Sequence, residues 1–389
     1  MKSELGEELK ICSKCIYDER VPSISFDQDG VCNYCSQADK LIDEFGTGKE
    51  KGKAKLKAII QQIKKHGQGK KYDCIIGVSG GTDSSYMLHL MKNKWKLRPL
   101  AVHYDNTWNT STATQNLRKV LSKLNVDLYT HVVSNTESNK IFSAFFKSGV
   151  AEIEAATDLA LAEVMYQAAW KNKIKYVFEG HSFVTEGITP IGRNYFDGKY
   201  IKSICKNHGL KKFKSYPLMT FWRFLFWVMA VRIKKIRPFW YIDYSKEDAR
   251  KLLEKEYEWE YYGGHHLENR MTAFYHTIYL PEKFNQDMRN NTLSALVRNK
   301  KLDRKQAWCE YVNRPECDRR LISFFKKRLK ISDGEFDEIM LSEPKSWKDF
   351  PTYKKRFELL RPIFHILAKK DLVPMSFYLK YCFPSKEDL

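Results

Sequence analysis

The chain has 389 residues, 43% of them hydrophobic and 29% charged, the range of a soluble globular protein with room for more than one domain; a disordered or fibrous chain is excluded. Its formal net charge of +20 implies an anionic partner (nucleic acid, a membrane surface, a nucleotide-linked substrate or an acidic protein), unless it only dresses a lysine-rich, solubilising surface.

The opening residues Met1-Lys2-Ser3-Glu4-Leu5 have no apolar core, so no secretory leader is expected. Cys12, Cys15, Cys32 and Cys35 then form two CxxC pairs separated by 16 residues. That is the spacing of a structural zinc ribbon, with a short hairpin over 21–30 between the two knuckles. Four thiolates leave no open position on the metal, so its expected role is to hold a fold. Two disulfides, disfavoured in a reducing compartment, and an iron–sulfur cluster are the alternatives. Cys74, Cys205, Cys309, Cys317 and Cys382 lack ligand spacing and read as plain thiols. Residues 38–66 read as helical and lysine-rich.

An apolar strand over 73–78 stops at Ser79-Gly80-Gly81-Thr82-Asp83-Ser84-Ser85 and opens into a helix. Such a junction offers backbone N–H groups and a positive helix end to an anion, and its two glycines let a phosphate approach the main chain. No Gly-Lys-Ser/Thr follows, so it is not a Walker A loop, and it is not GxGxxG. Asp83 beside the phosphates suggests a Mg²⁺ bridge. An ordinary glycine turn is the bland alternative. Further strands are expected over 99–104, 127–133 and 176–179, alternating with helices over 112–124 and 151–171, which predicts a doubly wound parallel α/β sheet. Ligands bind such sheets at the carboxyl ends of the strands. The polar clusters fall there: Ser79 to Ser85, then Tyr104-Asp105-Asn106, then Glu179-Gly180-His181. His181 is a candidate for catalysis or phosphate contact, or else only a neighbour of a helix cap.

Beyond residue 187 the alternation is lost and the chain turns helical, aromatic and basic. The segment 216–233 is too short and too charged to span a bilayer. It would suit a helix lying at a membrane interface, or a buried or oligomer-contacting one. A second cluster follows in Gly263-Gly264-His265-His266-Leu267-Glu268-Asn269-Arg270 and in Lys283, Asp287 and Arg289. Lys283 and Arg289 could bind phosphates or stabilise charge on a transferring adenylyl group; a surface ion pair between Lys283 and Asp287 is the plain alternative. The expected modules are 1–40, 41–210 and 211–389.

Ser-Gly-Gly-x-Asp-Ser resembles the signature of the PP-loop ATP pyrophosphatases, whose HUP-like domain adenylates an oxygen and releases pyrophosphate. The resemblance carries Ser79, Gly80, Gly81, Thr82, Asp83, Ser84 and Ser85 onto an ATP–Mg²⁺ site, with Tyr104, Asp105, Asn106 and Gly180 beside the nucleotide. With ATP chemistry in prospect, the cytoplasm is the expected compartment. Together with the CxxC pairs, the Tyr-Gly-Gly-x-His-x-Glu-x-Arg region and Leu-Pro-x-Lys-Phe-x-x-Asp-x-Arg, the chain over about 10–320 looks like the N-acetyl sugar amidotransferases. The family commonly has Lys where this chain has His265. Members convert an acetamido group on a nucleotide-activated sugar into an acetamidino group for bacterial surface glycans. The resemblance implies catalytic roles for Asp83, His181, Lys283 and Arg289, and substrate contacts at His265, His266, Glu268 and Arg270. It also implies ammonia from a separate glutaminase with a cyclase-like channel subunit, as no glutaminase cysteine motif is visible. A tRNA thiolase or lysidine-type modifier is the rival enzyme, against which stands the lack of a catalytic cysteine pair; nucleic acid is not the expected partner. A non-catalytic zinc-ribbon adaptor is the remaining alternative.

Overall fold

A computed structural model of the chain describes residues 9–190, 194–264, 267–315 and 318–384. Among them, five strands form one parallel sheet: β1 (Cys74–Gly77), β2 (Pro99–Asp105), β3 (Leu128–Val132), β4 (Tyr176–Phe178) and β5 (Lys234–Ile236). Their order is β3-β2-β1-β4-β5. Four strands lie where the apolar runs predict them, and the doubly wound parallel arrangement is the expected one. β5 has no such signal, being Lys-Lys-Ile. Lys235 is accepted in the sheet because its ammonium meets Glu179 at 2.6 Å.

The chain builds outward from β1 to β3, then returns across the sheet to place β4 on the other side of β1. That reversal opens a crevice at the carboxyl ends of β1 and β4. Side chains alternate between two cores, as a pleated strand dictates. Ile75, Leu100, Val102 and Val177 face one core; Cys74, Ile76, Val78, Ala101 and Phe178 face the other. Strands buried on both faces read as continuous apolar runs, which is why the sequence shows them.

The expected helix over 38–66 is two, α1 (Asn33–Phe45) and α2 (Glu50–Gly67). Gly46, in the left-handed region at φ 66°, caps α1 and turns the chain. α3 (Thr82–His89) follows the glycine loop, and α4 (Ser111–Leu124), α5 (Asn135–Lys147) and α6 (Ala155–Lys171) complete the layers on the sheet. α7 (Gly198–Asn207) and α8 (Phe221–Leu225) come next, α8 running into a π-helical turn, Phe226–Val231. The aromatic segment divides its faces: Phe221, Trp227 and Val228 are buried, whereas Trp222, Phe226 and Met229 are exposed. Arg223 and the Trp227 indole N–H both donate to the fully buried Glu163. No helix among the described residues is long and apolar enough to cross a membrane. The remainder is helical: α9 (Lys246–Tyr257), α10 (Arg270–Phe274), α11 (Leu280–Phe284), α12 (Arg289–Arg298), α13 (Arg304–Val312), α14 (Arg320–Leu329) and α15 (Asp333–Leu341), then three short helices up to Tyr381.

Candidate active site and metal centre

The glycine loop sits at the crevice. Gly80 has φ 83°, and a Cβ there would fall 2.1 Å from the Ala113 carbonyl oxygen, so the loop presses against the first turn of α4 as only glycine allows. The loop is tied from within by Gly81 N–H to Ser79 Oγ at 3.3 Å and by Ser84 Oγ to the Gly81 carbonyl at 3.3 Å. The Trp259 indole N–H holds the Gly80 carbonyl at 3.1 Å. α3 begins at Gly81 with no side-chain cap, so the N–H groups of its first turn are presented to an anion. This donor set fits the phosphates of ATP.

Two cavities of about 380 and 250 Å³ meet along Ser79, Gly180 and Glu268. The larger is walled by Tyr104, Asn106 and Asn109 at the end of β2, by Gly180 after β4, and by Asn269 and Thr272. The smaller holds Asp83, His181, Glu186, Lys246 and Arg250. Asp83 accepts the Tyr244 hydroxyl at 2.5 Å and the Lys246 ammonium at 3.0 Å; Lys246 also meets Glu186 at 3.0 Å. Burial pushes the Asp83 carboxyl up to about 6, with Lys246 pulling the other way. For Lys246, burial opposes the charge, but Asp83 and Glu186 outweigh it and hold the ammonium protonated. Burial keeps His181 below the ordinary imidazole range. Its Nδ1 accepts the Trp240 indole N–H at 3.3 Å, which leaves the proton on Nε2, 3.9 Å from Glu186.

The structure thus brings the loop, Tyr104, Asn106, Gly180, His181 and Glu268 to one cleft. Asp105 instead takes the Thr107 N–H at 2.7 Å and shapes the loop after β2. Asn106 accepts from Asn269 at 2.9 Å, joining that loop to the start of α10. Arg270 lies outside the cleft, its guanidinium stacked 4.5 Å above Phe324. Lys283 and Arg289 are placed elsewhere too. The Lys283 ammonium, 8% exposed, donates to the Ile339 and Ser342 carbonyls at 2.6 and 2.5 Å and so caps the end of α15. Burial holds it below the ordinary lysine range. Arg289 forks onto Asp287 and reaches the Glu310 and Tyr311 carbonyls at the end of α13. Asn285, at φ 49°, ends α11 before Asp287, so the helical Lys283–Asp287 pair does not form. His265 and His266 lie outside the described residues. The site residues that sequence reasoning misses are Asn109, Glu186, Tyr244, Lys246, Arg250 and Thr272, while His103 and Asn269 stand in segments the sequence singles out but carry no assigned role there.

At the N-terminus, the four Sγ atoms of Cys12, Cys15, Cys32 and Cys35 are buried and lie within 4.8 Å of one another. Neighbouring sulfurs are 3.6 to 3.8 Å apart, too far for disulfides. A single ion bonded tetrahedrally to thiolates at ~2.3 Å separates them by ~3.8 Å, so the donor set fits one metal ion. Backbone N–H groups of Lys14, Cys15 and Cys32 point at Cys12 Sγ. Arg298 of α12 donates to Cys35 Sγ at 3.3 Å and to Cys15 Sγ at 3.2 Å, while Arg304 donates to the Cys12 and Cys15 carbonyls. The expected hairpin is reduced to one antiparallel bridge, Phe26 to Cys32, because Cys32 already starts α1.

Residues 268–363 match the family model described as LPS biosynthesis protein WbpG-like, C-terminal domain. The matched segment begins at Glu268, in the wall shared by the two cavities. The chain is also 31% identical over 171 residues to an uncharacterized protein of Methanocaldococcus jannaschii, a stretch covering 44% of this chain and 58% of that protein. Among solved structures, it is similar to the NH3-dependent NAD synthetase of Campylobacter jejuni in complex with nitrate, at 17% identity and TM-score 0.28 over 36% of this chain and 59% of that one. It is likewise similar to the U34-tRNA thiolase of Methanococcus maripaludis with its 4Fe–4S cluster, at 13% identity and TM-score 0.28 over 80% of this chain and 91% of that one.

Proposed function

We propose that this chain is the ATP-dependent synthetase component of an N-acetyl sugar amidotransferase, acting on a nucleotide-linked sugar for a bacterial surface polysaccharide. One observation carries the reading: the WbpG-like segment and the glycine loop meet in a single cleft, Glu268, Asn269 and Thr272 facing Ser79 and Gly180.

ATP supplies the adenylyl group that makes an amide oxygen a leaving group. The bond between the α and β phosphates breaks as the acetamido oxygen bonds the α phosphorus, and pyrophosphate departs. Ammonia then attacks the amide carbon and AMP leaves with that oxygen. Two protons are released to water and pyrophosphate as ammonia becomes the amidine nitrogen, and the product has NH in place of O. In this scheme the α3 amides and Lys246 bind the departing pyrophosphate, and Asp83 would hold Mg²⁺, which would offset the phosphate charge. Neutral His181 donates Nε2–H to a phosphoryl oxygen. Asn106, Asn109 and Asn269 offer amide groups that orient the acceptor. We assign zinc to the four cysteines, as a structural ion. Ammonia would come from a separate glutaminase partner and its cyclase-like channel subunit, in the cytoplasm.

The test is release of AMP and pyrophosphate by the purified chain with ATP, Mg²⁺ and ammonium, with nucleotide-linked N-acetyl sugars against bulk tRNA. Sugar-dependent turnover yielding a product with one oxygen exchanged for NH is expected. Turnover with tRNA alone would overturn the proposal.

A further inference from the structure

A groove of about 910 Å³ lies on the far side of the loop that follows β2, between α5 and the end of α14. Its walls carry Lys140, Lys147, Lys327, Arg328 and Lys330, and no carboxylate lines it among the described residues. Lys147 is matched by Glu335 at 2.7 Å, but Lys140, Lys327 and Lys330 make no ion pair among the described residues. Arg328 is half-buried, lies 4.1 Å over the Trp108 ring, and is hydrogen-bonded only to neutral acceptors: the Thr107 carbonyl, Thr107 Oγ1 and the Asn135 and Asn139 amides. A second guanidinium, Arg270, stacks on Phe324, whose ring Arg328 also approaches at 5.8 Å. Burial and Arg270 together hold Arg328 below the ordinary guanidinium range. Two like charges share one ring, and Asp105 is the carboxylate that acts on Arg328, without a hydrogen bond to it; the groove itself keeps a surplus of positive charge that an anion would offset.

We propose that this groove binds a diphosphate, that of the nucleotide-linked acceptor, while its sugar reaches over the rim into the ATP cleft. The proposal rests on the amidotransferase reading. Arg328, in the groove wall, grips Thr107, and the adjoining Asn106 and Asn109 line the cleft, so one short loop links the two. Lys140, Lys327 and Lys330, without an ion pair among the described residues, supply the phosphate contacts along the groove, and Arg328, whose Nε and Nη2 are taken by Thr107, Asn135 and Asn139, adds its charge at the rim.

The experiment fills the cleft of the full-length chain with a non-hydrolysable ATP analogue and titrates nucleoside diphosphates and inorganic pyrophosphate. The double variant Lys140→Glu with Lys327→Glu changes two exposed side chains; Lys57→Glu with Lys64→Glu on α2 is the control. Nucleoside diphosphate affinity is expected to fall at least tenfold in the groove variant and to hold in the control, with ATP-analogue affinity unchanged in both. Equal loss in the two variants, or no loss in the first, would overturn the groove, as would binding of pyrophosphate but not nucleoside diphosphate. Acceptor turnover separates the two claims. An unchanged acceptor KM in an active groove variant sinks the groove and leaves the amidotransferase reading intact. Groove-dependent nucleotide binding without turnover of any N-acetyl sugar does the reverse.

Discussion

Lys246 stands between Asp83 and Glu186, 3.0 Å from each, and is the cation nearest the loop's own carboxylate. Replacing it by Met should lower the rate of pyrophosphate release about 10²-fold, the usual loss for one preorganised donor, and lower stability too, because Asp83 and Glu186 are left without their shared cation. Steady-state kinetics and urea unfolding check both halves. Asp83 gives a pH signature. With its carboxyl pushed up to about 6, Mg²⁺–ATP binding should weaken as pH falls through that value, and Asp83→Asn should abolish the inflection. The stability sign runs the other way: a raised carboxyl favours folding most below the ordinary Asp value, and that contribution is lost as pH rises through about 6. Lys283→Met should destabilise the fold by about 1–3 kcal/mol, through two orphaned carbonyls at the end of α15, while the folded fraction keeps its rate. The loop residues are legible in the sequence because seven contiguous positions carry them. Lys246 is not, since it follows Ser245, an ordinary helix cap, and lies more than 160 residues from the aspartate it meets.

Among the elements, the loop between β1 and α3 tolerates no side chain at Gly80. Gly80→Ala should displace the loop from α4, lower stability by about 1–3 kcal/mol and remove ATP binding, read by thermal unfolding and nucleotide titration. The four-cysteine module has the donor set to hold one metal ion, and the proposed zinc makes it an element that depends on that ion. One metal ion per chain is expected by mass spectrometry, and a strong chelator or Cys12→Ser should lower the melting temperature and expose 9–40 to protease. Intact stability and metal content in Cys12→Ser would contradict the single-ion assignment. β1, β2 and β4 were legible because strands buried deep in the sheet show as apolar runs, whereas β3, an exposed edge strand, was legible only through its β-favouring Leu-Tyr-Thr-His-Val. β5 was hidden because its polarity is compensated by Glu179, a tertiary partner that no local pattern reveals. The 216–233 segment was ambiguous for a related reason: Arg223 looks like a breaker of burial until Glu163 meets it.

At the scale of the molecule, the cleft is assembled from both sides of residue 210: the loop, Asn106, Gly180 and His181 from one part, Lys246, Glu268 and Asn269 from the other. Composition and spacing announce an N-terminal metal module, an α/β core and a helical remainder, yet they do not show that the last closes the site of the second. Nor do they show that α12 clasps the first, since Arg298 and Cys15 are 283 positions apart. That separation has a consequence for biosynthesis. The cysteines emerge first from the ribosome, and at about 5–20 residues per second the arginine follows them on the order of tens of seconds later. A nascent chain therefore carries four exposed thiols with no guanidinium to shield them, and a chain truncated before α12 never acquires one. The clasp makes completion of translation a condition for a sheltered metal site, so unfinished copies remain open to oxidation and quality-control proteases.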